Sequence, residues 1–420
     1  MSTLSWTGET ITILPEGRYD RQGLISWWDQ NRVAGARVLV VGAGALGNEI
    51  LKLLALTGIG HVMIYDIDKI ELSNLSRTVL FRESDQGAFK AEVAAARLAE
   101  LNPQIMAVGR NQNIVSQVGQ GIFLWADIVI CGLDNRLARM FVNSACAQTG
   151  RTWVDGAIEG LSGIVRVFDP RETACYECTM NKTDRMLVQE RMSCAMLARD
   201  EINRGHVPTT AVSASLIAAL EVQEAIKYLH GQPILYGEGV HINGIWGEFE
   251  RIRYKRREDC LGHQFLGPIL RLERGIADIC LGELLELAET RLGDGATLEL
   301  SRDVITSLTC PNCGFIENCG VVLGVLREAD AVCPHCQTHR RVNFAGTVMR
   351  DGEVDLSLTP ADIGIPPFDI VIARRSIESH EAWLFDGDAN GVLGNLAGTF
   401  DATRFNATSS SAERVSRNGL

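Results

Sequence analysis

The segment VLVVGAGALGNE, residues 38–49, constrains the fold more than any other part of this chain. Val38 to Val41 read as a buried strand, and Gly42, Gly44 and Gly47 follow as G-x-G-x-x-G at the opening of an apolar helix. Glycines at that spacing let the backbone turn sharply and come close to phosphates or a ribose. Asp66 lies 19 residues after Gly47, at the end of a second apolar strand (HVMIYD), where a carboxylate can accept from ribose hydroxyls. A nicotinamide-dependent oxidoreductase fits this much. Asn74, Arg77 and Lys90, phosphate-capable groups within one crossover, go further, as does Asp134 in VICGLDN after another apolar strand. Hydride transfer has no use for them. Cleaving ATP between its α and β phosphorus needs cations on the phosphates and a carboxylate on Mg²⁺.

The order RYDRQ, GAGALG, D-x-D-x-I-x-x-S-N-L-x-R, Lys90 and LDN resembles the ubiquitin-activating superfamily, which includes the bacterial molybdopterin-synthase and thiamine-pathway adenylyltransferases. The resemblance covers residues 17–265. It implies a Rossmann-like, mainly parallel α/β adenylation domain. It also implies that Asp66 holds the ATP ribose, that Arg77 and Lys90 hold the phosphates with support from Asn74, and that Asp134 binds magnesium. Arg21, in the RYDRQ block, would reach the triphosphate of the other subunit of a homodimer; by itself it reads as a surface salt-bridge residue.

Composition narrows the function classes. The formal net charge of −12 opposes binding to a nucleic-acid surface, because the protein's own field repels phosphate, although a local cationic site can still hold ATP. The opening MSTLSWTGET lacks the basic and apolar regions of a signal peptide, and no apolar run is long enough to span a membrane. A soluble cytoplasmic protein is expected. In that compartment, 12 cysteines with C-x-x-C spacing point to metal and thiol chemistry rather than disulfides.

The chain divides into an arm and helix (1–36), an adenylation domain with a crossover loop and metal site (37–265), a domain containing a zinc ribbon (266–395) and a disordered tail (396–420). Helical spacing in RQGLISWWDQNRV predicts a helix there, and strands and helices then alternate to about Gly231. Pro208 and a Thr pair start a long helix that Gly231 stops, with Glu224 and Lys227 expected to face solvent. Arg251, Arg253, Lys255, Arg256 and Arg257 read as an exposed strand face, or as a docking patch for an acidic partner. LGELLELAETRL reads as an amphipathic helix and PPFDIVIARR as the last strand.

Cys310, Cys313, Cys333 and Cys336 form C-x₂-C-x₁₉-C-x₂-C, a zinc-ribbon pattern whose four thiolates leave no open position for water and so imply a structural Zn²⁺. Cys319 and His335 are read as bystanders. Cys175 and Cys178 (CYEC) with Cys260 and His263 (DCLGH) form a less regular set. The superfamily commonly closes this second site with another C-x-x-C; here histidine replaces the last cysteine, which still makes an acceptable Cys₃His zinc site. The alternative is a half-formed site with His263 exposed. Cys131, Cys146 and Cys280 read as core residues.

Cys194 lies in ERMSCAML, 16 residues after Cys178, with Arg185, Arg191 and Arg199 near it in sequence to favour a thiolate. In the ubiquitin-like branch a cysteine at this place attacks the acyl-adenylate and carries the acyl group as a thioester; in the sulfur-carrier branch it has other roles. The resemblance therefore implies ATP-dependent activation of a ubiquitin-like β-grasp protein through its free C-terminus, with a conjugating enzyme downstream. Its closest parallel is the activating component of bacterial ubiquitin-like conjugation operons, a setting of antiviral defence. The alternatives are a sulfur-carrier adenylyltransferase, a scaffold subunit without turnover, and the oxidoreductase.

Overall fold

The structure, a computed structural model, describes residues 2–6, 9–13, 17–181 and 208–400. β1 (Ser2–Trp6) and β2 (Glu9–Ile13) form an antiparallel hairpin in the segment expected to be an arm. The helix expected from RQGLISWWDQNRV is α-helical only in its last part, α1 (Gln30–Gly35), with a 3₁₀ turn at Gln22–Leu24 before it. Asp29 explains the late start, because its carboxylate caps the backbone N–H groups of Asn31 (3.0 Å) and Arg32 (3.3 Å). Trp27 and Trp28 pack instead against His230, with ring centroids 5.2 and 5.3 Å away.

β3 (Arg37–Val41), β4 (His61–Tyr65), β5 (Met106–Arg110), β6 (Ile128–Cys131), β7 (Trp153–Glu159), β8 (Ser162–Phe168), β9 (Glu238–Asn243) and β10 (Glu248–Arg253) make one eight-stranded sheet in the order β10-β9-β8-β7-β6-β3-β4-β5. β7, β6, β3, β4 and β5 are parallel, and β8 to β10 extend the sheet antiparallel. This is a Rossmann-like, mainly parallel α/β fold. β3 and β6 are buried at every position, as continuous apolar strands covered on both faces must be. One face is covered by α2 (Ala45–Thr57), α3 (Lys90–Leu101) and a later helix described below. The other carries α4 (Gly121–Trp125) and α5 (Arg136–Thr149). The chain order reverses between β3 and β6, and the crevice at the carboxyl ends of strands at such a point is where ligands bind in this architecture.

After the short α6 (Tyr176–Thr179), α7 (Ala211–Leu229) starts at Thr210, whose hydroxyl accepts from Ser213 N at 3.1 Å, and Gly231 at φ 67° follows its end. Its Glu224 does not face solvent. The residue is 4% exposed, and its carboxylate accepts from Leu235 N at 2.9 Å and from Lys227 Nζ at 2.7 Å, so the pair fastens the following loop to the helix.

The remainder builds two smaller sheets. β11 (Ile269–Arg271), α8 (Leu281–Leu292) and β12 (Thr297–Glu299) precede β13 (Val304–Thr309), β14 (Ile316–Val322) and β15 (Arg341–Ala345), which pair as β14-β13-β15. β16 (Ile370–Arg374) is not the last strand. β17 (His380–Leu384) follows it, completing β11-β17-β16-β12, and α9 (Ala389–Leu393) comes next. Nor does order stop at residue 395. Leu396 is fully buried, and Thr399 accepts from Arg37 Nη1 at 2.8 Å through its carbonyl and from Trp125 Nε1 at 2.8 Å through its hydroxyl. Ile370, Ala382, Leu384, Leu393 and Leu396 share one core with Phe123 and Trp125 of the large sheet's helix layer.

Candidate functional site

The glycine turn is the hub of the crevice. A Cβ on Gly42, at φ 96°, would sit 2.5 Å from the carbonyl oxygen of Gly132, and one on Gly47 would sit 2.0 Å from that of Gly42. Both positions therefore exclude a side chain. A Cβ on Gly44 would meet nothing within 4 Å, so that position opens onto space that a ligand can approach. Asp66 directly follows β4; its carboxylate accepts from the N–H groups of Ala43 and Asp68, each at 2.7 Å, and so fixes the turn. Burial pushes this carboxyl's pKa up, and the charge of Lys90 opposes the rise.

Lys90, the first residue of α3, is buried and reaches Asp68 Oδ2 at 2.9 Å, while its backbone N–H donates to Asp68 O at 2.9 Å. Asn74 is buried and accepts from Glu71 N at 3.0 Å, and Arg77 donates from Nη1 to Ser73 O at 2.7 Å. Asp134 is exposed two residues beyond Gly132, whose backbone abuts Gly42 and Gly47. The turn thus gathers Asp66, the Asp68–Lys90 pair and the Asp134 loop around one crevice. Asn48 adds the Arg77 segment to it. This fully buried amide donates to Ala43 O at 2.7 Å and accepts from Leu80 N at 2.9 Å. Asn48 is not singled out by the sequence pattern, and Asp68 stands in it only as the second acid of the D-x-D block, with no role given to it there.

Arg21 lies elsewhere in the subunit. Its neighbours pack at the far end of α2, where Gln22 donates to Leu56 O at 3.5 Å and Tyr19 lies against Gly58. The 13 residues of α2 separate that end from the glycine turn, about 20 Å at 1.5 Å per residue. Cys194, with Arg185, Arg191 and Arg199, lies outside the described residues.

Cys175, Cys178, Cys260 and His263 come together, as do Cys310, Cys313, Cys333 and Cys336, with the ligand atoms of each group all within 4.8 Å of one another. In the first group Cys175 Sγ lies 3.8 Å from Cys178 Sγ and 3.7 Å from Cys260 Sγ, and Cys178 Sγ lies 3.1 Å from His263 Nε2. In the second, Cys310 lies 3.4 Å from Cys336 and Cys313 lies 3.6 Å from Cys333. Tetrahedral Zn–S bonds of about 2.3 Å require sulfurs about 3.7 Å apart, so both groups are able to hold zinc. His263 Nδ1 faces Pro170 O at 2.7 Å, which leaves Nε2 as the ligand atom. Gly262 is needed beside it, since a Cβ there would lie 3.0 Å from Cys175 Sγ and 2.7 Å from Glu177 Oε1. Cys319 and His335 belong to neither group. Cys131 and Cys146 are buried, whereas Cys280 is half-buried and caps α8, its Sγ accepting from Glu283 N at 3.4 Å.

The basic run at the end of β10 and just beyond it is largely engaged. Arg251 and Arg253 both pair with Glu238, and Arg257 pairs with Asp259 at 2.8 Å. Arg256 donates to the carbonyls of Pro170 and Arg171 at 2.9 Å and of Thr173 at 3.1 Å. It thereby supports the loop that leads to Cys175. Among the described residues no helix is long and apolar enough to cross a membrane.

The chain is similar to known proteins over part of its length. The chain is 31% identical over 224 residues to ubiquitin-like modifier-activating enzyme 5 of Oryza sativa subsp. japonica, an alignment covering 50% of this chain and 51% of that protein. It is 39% identical over 158 residues to the NEDD8-activating enzyme E1 catalytic subunit of Caenorhabditis elegans, covering 34% and 36% of the two. The chain thus spans about half the length of the first of these relatives. Among solved structures, Escherichia coli MccB with MccA-N7isoASN superposes with a TM-score of 0.49 at 24% identity, over 60% of this chain and 76% of that one. Residues 19–262, more than half of the chain, match the model of the ThiF family, and the chain belongs to that family.

Proposed function

We propose that the chain uses ATP to adenylate the C-terminal carboxylate of a ubiquitin-like β-grasp protein and then takes the acyl group onto Cys194 as a thioester. The observation that carries the first step is the convergence of the open glycine turn, the Asp68–Lys90 pair, the Arg77 segment and the exposed Asp134 at the carboxyl ends of β3, β4 and β6. Two relatives named as activating enzymes support the same reading. On this reading Asp66 would meet the ribose, Asn74, Arg77 and Lys90 the phosphates, and Asp134 would hold Mg²⁺, which would neutralise charge on the phosphates. The carrier carboxylate attacks the α-phosphorus and pyrophosphate leaves. The Cys194 thiolate then displaces AMP from the acyl carbon.

Tyr19 and Gln22, which flank Arg21, contact the end of α2 that lies about 20 Å along the helix from the glycine turn, which fits a homodimer in which Arg21 reaches the partner's triphosphate. Both zinc ions would be structural, the first tying Cys175 and Cys178, which lie before the segment that carries Cys194, to Cys260 and His263, the second bracing the β13–β15 unit as a surface for a conjugating enzyme.

Cys194→Ala tests the second step. It is expected to keep pyrophosphate exchange into ATP while losing a thiol-sensitive adduct with the carrier on a non-reducing gel, and Cys194→Ser should give a more stable oxyester. An adduct that persists in Cys194→Ala would move the nucleophile elsewhere. A wild-type protein that adenylates its carrier without ever forming the adduct would favour the sulfur-carrier reading.

A further inference from the structure

Beneath the Asp134 loop lies an ionic cluster that adenylation chemistry does not itself touch. Asp155 is fully buried on β7, in register with Cys131 at the end of β6 on one side and with Arg166 on β8 on the other. Its Oδ1 accepts from Arg139 Nε at 2.7 Å, and its Oδ2 accepts from Arg166 Nε at 3.0 Å. The guanidinium of Arg139, in the first turns of α5 and also buried, then donates from Nη2 to Leu133 O at 2.6 Å and to Gly156 O at 2.9 Å. Leu133 immediately precedes Asp134. Asn135, immediately after it, is pinned as the cap of α5 by accepting from Ala138 N at 2.7 Å.

Buried ion pairs are poor sources of stability, because the desolvation of both charges offsets their attraction. What this one provides is geometry. A planar guanidinium can face a carboxylate and two carbonyls in fixed directions, which an ammonium on a flexible stem cannot do.

We infer that Arg139, oriented by Asp155, is a positioning residue that sets where the Asp134 carboxylate stands and so the affinity of the site for its divalent cation. This rests on the proposed role of Asp134 as the metal-holding carboxylate. Arg166 shares Asp155 but bonds to neither Leu133 nor Gly156 and serves as the internal control.

The test measures Mn²⁺ binding by electron paramagnetic resonance in the presence of α,β-methylene-ATP, with no turnover involved. Arg139→Lys and, as an independent route, Asp155→Asn are each expected to weaken Mn²⁺ binding about tenfold or more, the usual effect of losing an outer-shell partner. Binding of the nucleotide without metal should stay unchanged. Arg166→Gln should leave the Mn²⁺ affinity at the wild-type value even if it lowers thermal stability. Folded Arg139→Lys and Asp155→Asn proteins with wild-type Mn²⁺ affinity would overturn the inference, as would an equal loss in Arg166→Gln. Wild-type affinity in Asp134→Ala would instead refute the metal role of Asp134 on which the inference stands.

Discussion

His263 is prepared for a metal by its surroundings. The Pro170 carbonyl takes the proton on Nδ1 at 2.7 Å, Arg256 braces that same carbonyl at 2.9 Å, and Nε2 is left toward the three sulfurs. Removing the imidazole should open the Cys175 group while sparing the distant ribbon. His263→Ala is therefore expected to lower zinc content from about two ions per chain to about one. Elemental analysis reads this directly, and a content that stays unchanged, or begins at one, would remove the mixed site. At this scale the sequence is most legible where chemistry is local. The Cys-x-x-Cys pairs and the glycine turn are set by neighbours a few residues away, so spacing reveals them. Asn48 and Asp155 are different. Each acts on a group that only the folded sheet brings near, such as the Leu80 N–H for Asn48 and the Arg139 and Arg166 forks for Asp155.

Among the elements, α7 carries the clearest departure from its expected face. Glu224 and Lys227 are expected to face water, yet Glu224 is nearly fully buried, and Glu221, one turn before it, is fully buried. Gly156 makes room for Glu221, since a Cβ there would lie 2.4 Å from Glu221 Oε2. Burial pushes the Glu221 pKa well up, and the negative charge of Asp155 adds to the rise. An acid that holds its proton more tightly when folded contributes a stability term that is lost as pH climbs above the unfolded carboxyl value. The loss continues until the folded pKa is passed, at about 1.4 kcal/mol per unit of separation. Glu221→Gln, neutral throughout, should thus be more stable than wild type by about 1 kcal/mol or more at pH 7.5, with the gain shrinking toward pH 4.5. Denaturant melts across that range test it; a gain independent of pH would mean that Glu221 carries no titration of this kind. The boundaries of α7 were readable, because its Thr210 cap and Gly231 stop are local signals, whereas the burial of Glu221 depends on the missing Cβ of Gly156 on β7. Helical spacing misled in residues 25–29 for a related reason: Trp27 and Trp28 pack on His230, a contact made only in the folded molecule.

At the scale of the whole molecule, the large sheet and the C-terminal sheets behave as one packed unit through contacts that spacing does not reveal. Arg302 and Asp369, both buried, pair at 3.1 Å; Arg302 also donates to Val118 O and Val115 O at 2.9 Å, and Asp369 accepts from Gln120 N at 2.8 Å. Phe368, at φ 61°, inserts against Gly119 and Gly121, where no side chain would fit. The alternation that predicted the parallel sheet was strong because fully buried strands must be continuously apolar. The β17 segment HEAWL and the ordered residues 394–400 were weak signals, since half their length is polar or small and their order comes from the core they cover. The same assembled crevice supports the central claim, that this molecule activates a carboxylate by splitting ATP at its α-phosphorus. The measurement that bears on it most directly is exchange of radioactive pyrophosphate into ATP, using a panel of purified ubiquitin-like β-grasp proteins with free C-termini, each beside its C-terminally amidated form. The account predicts exchange with a free-carboxylate form, none with its amidated counterpart, and a loss of about 10²–10³ in rate in Asp134→Ala. Exchange that is absent across the panel, or that persists near the wild-type rate in Asp134→Ala, would contradict it.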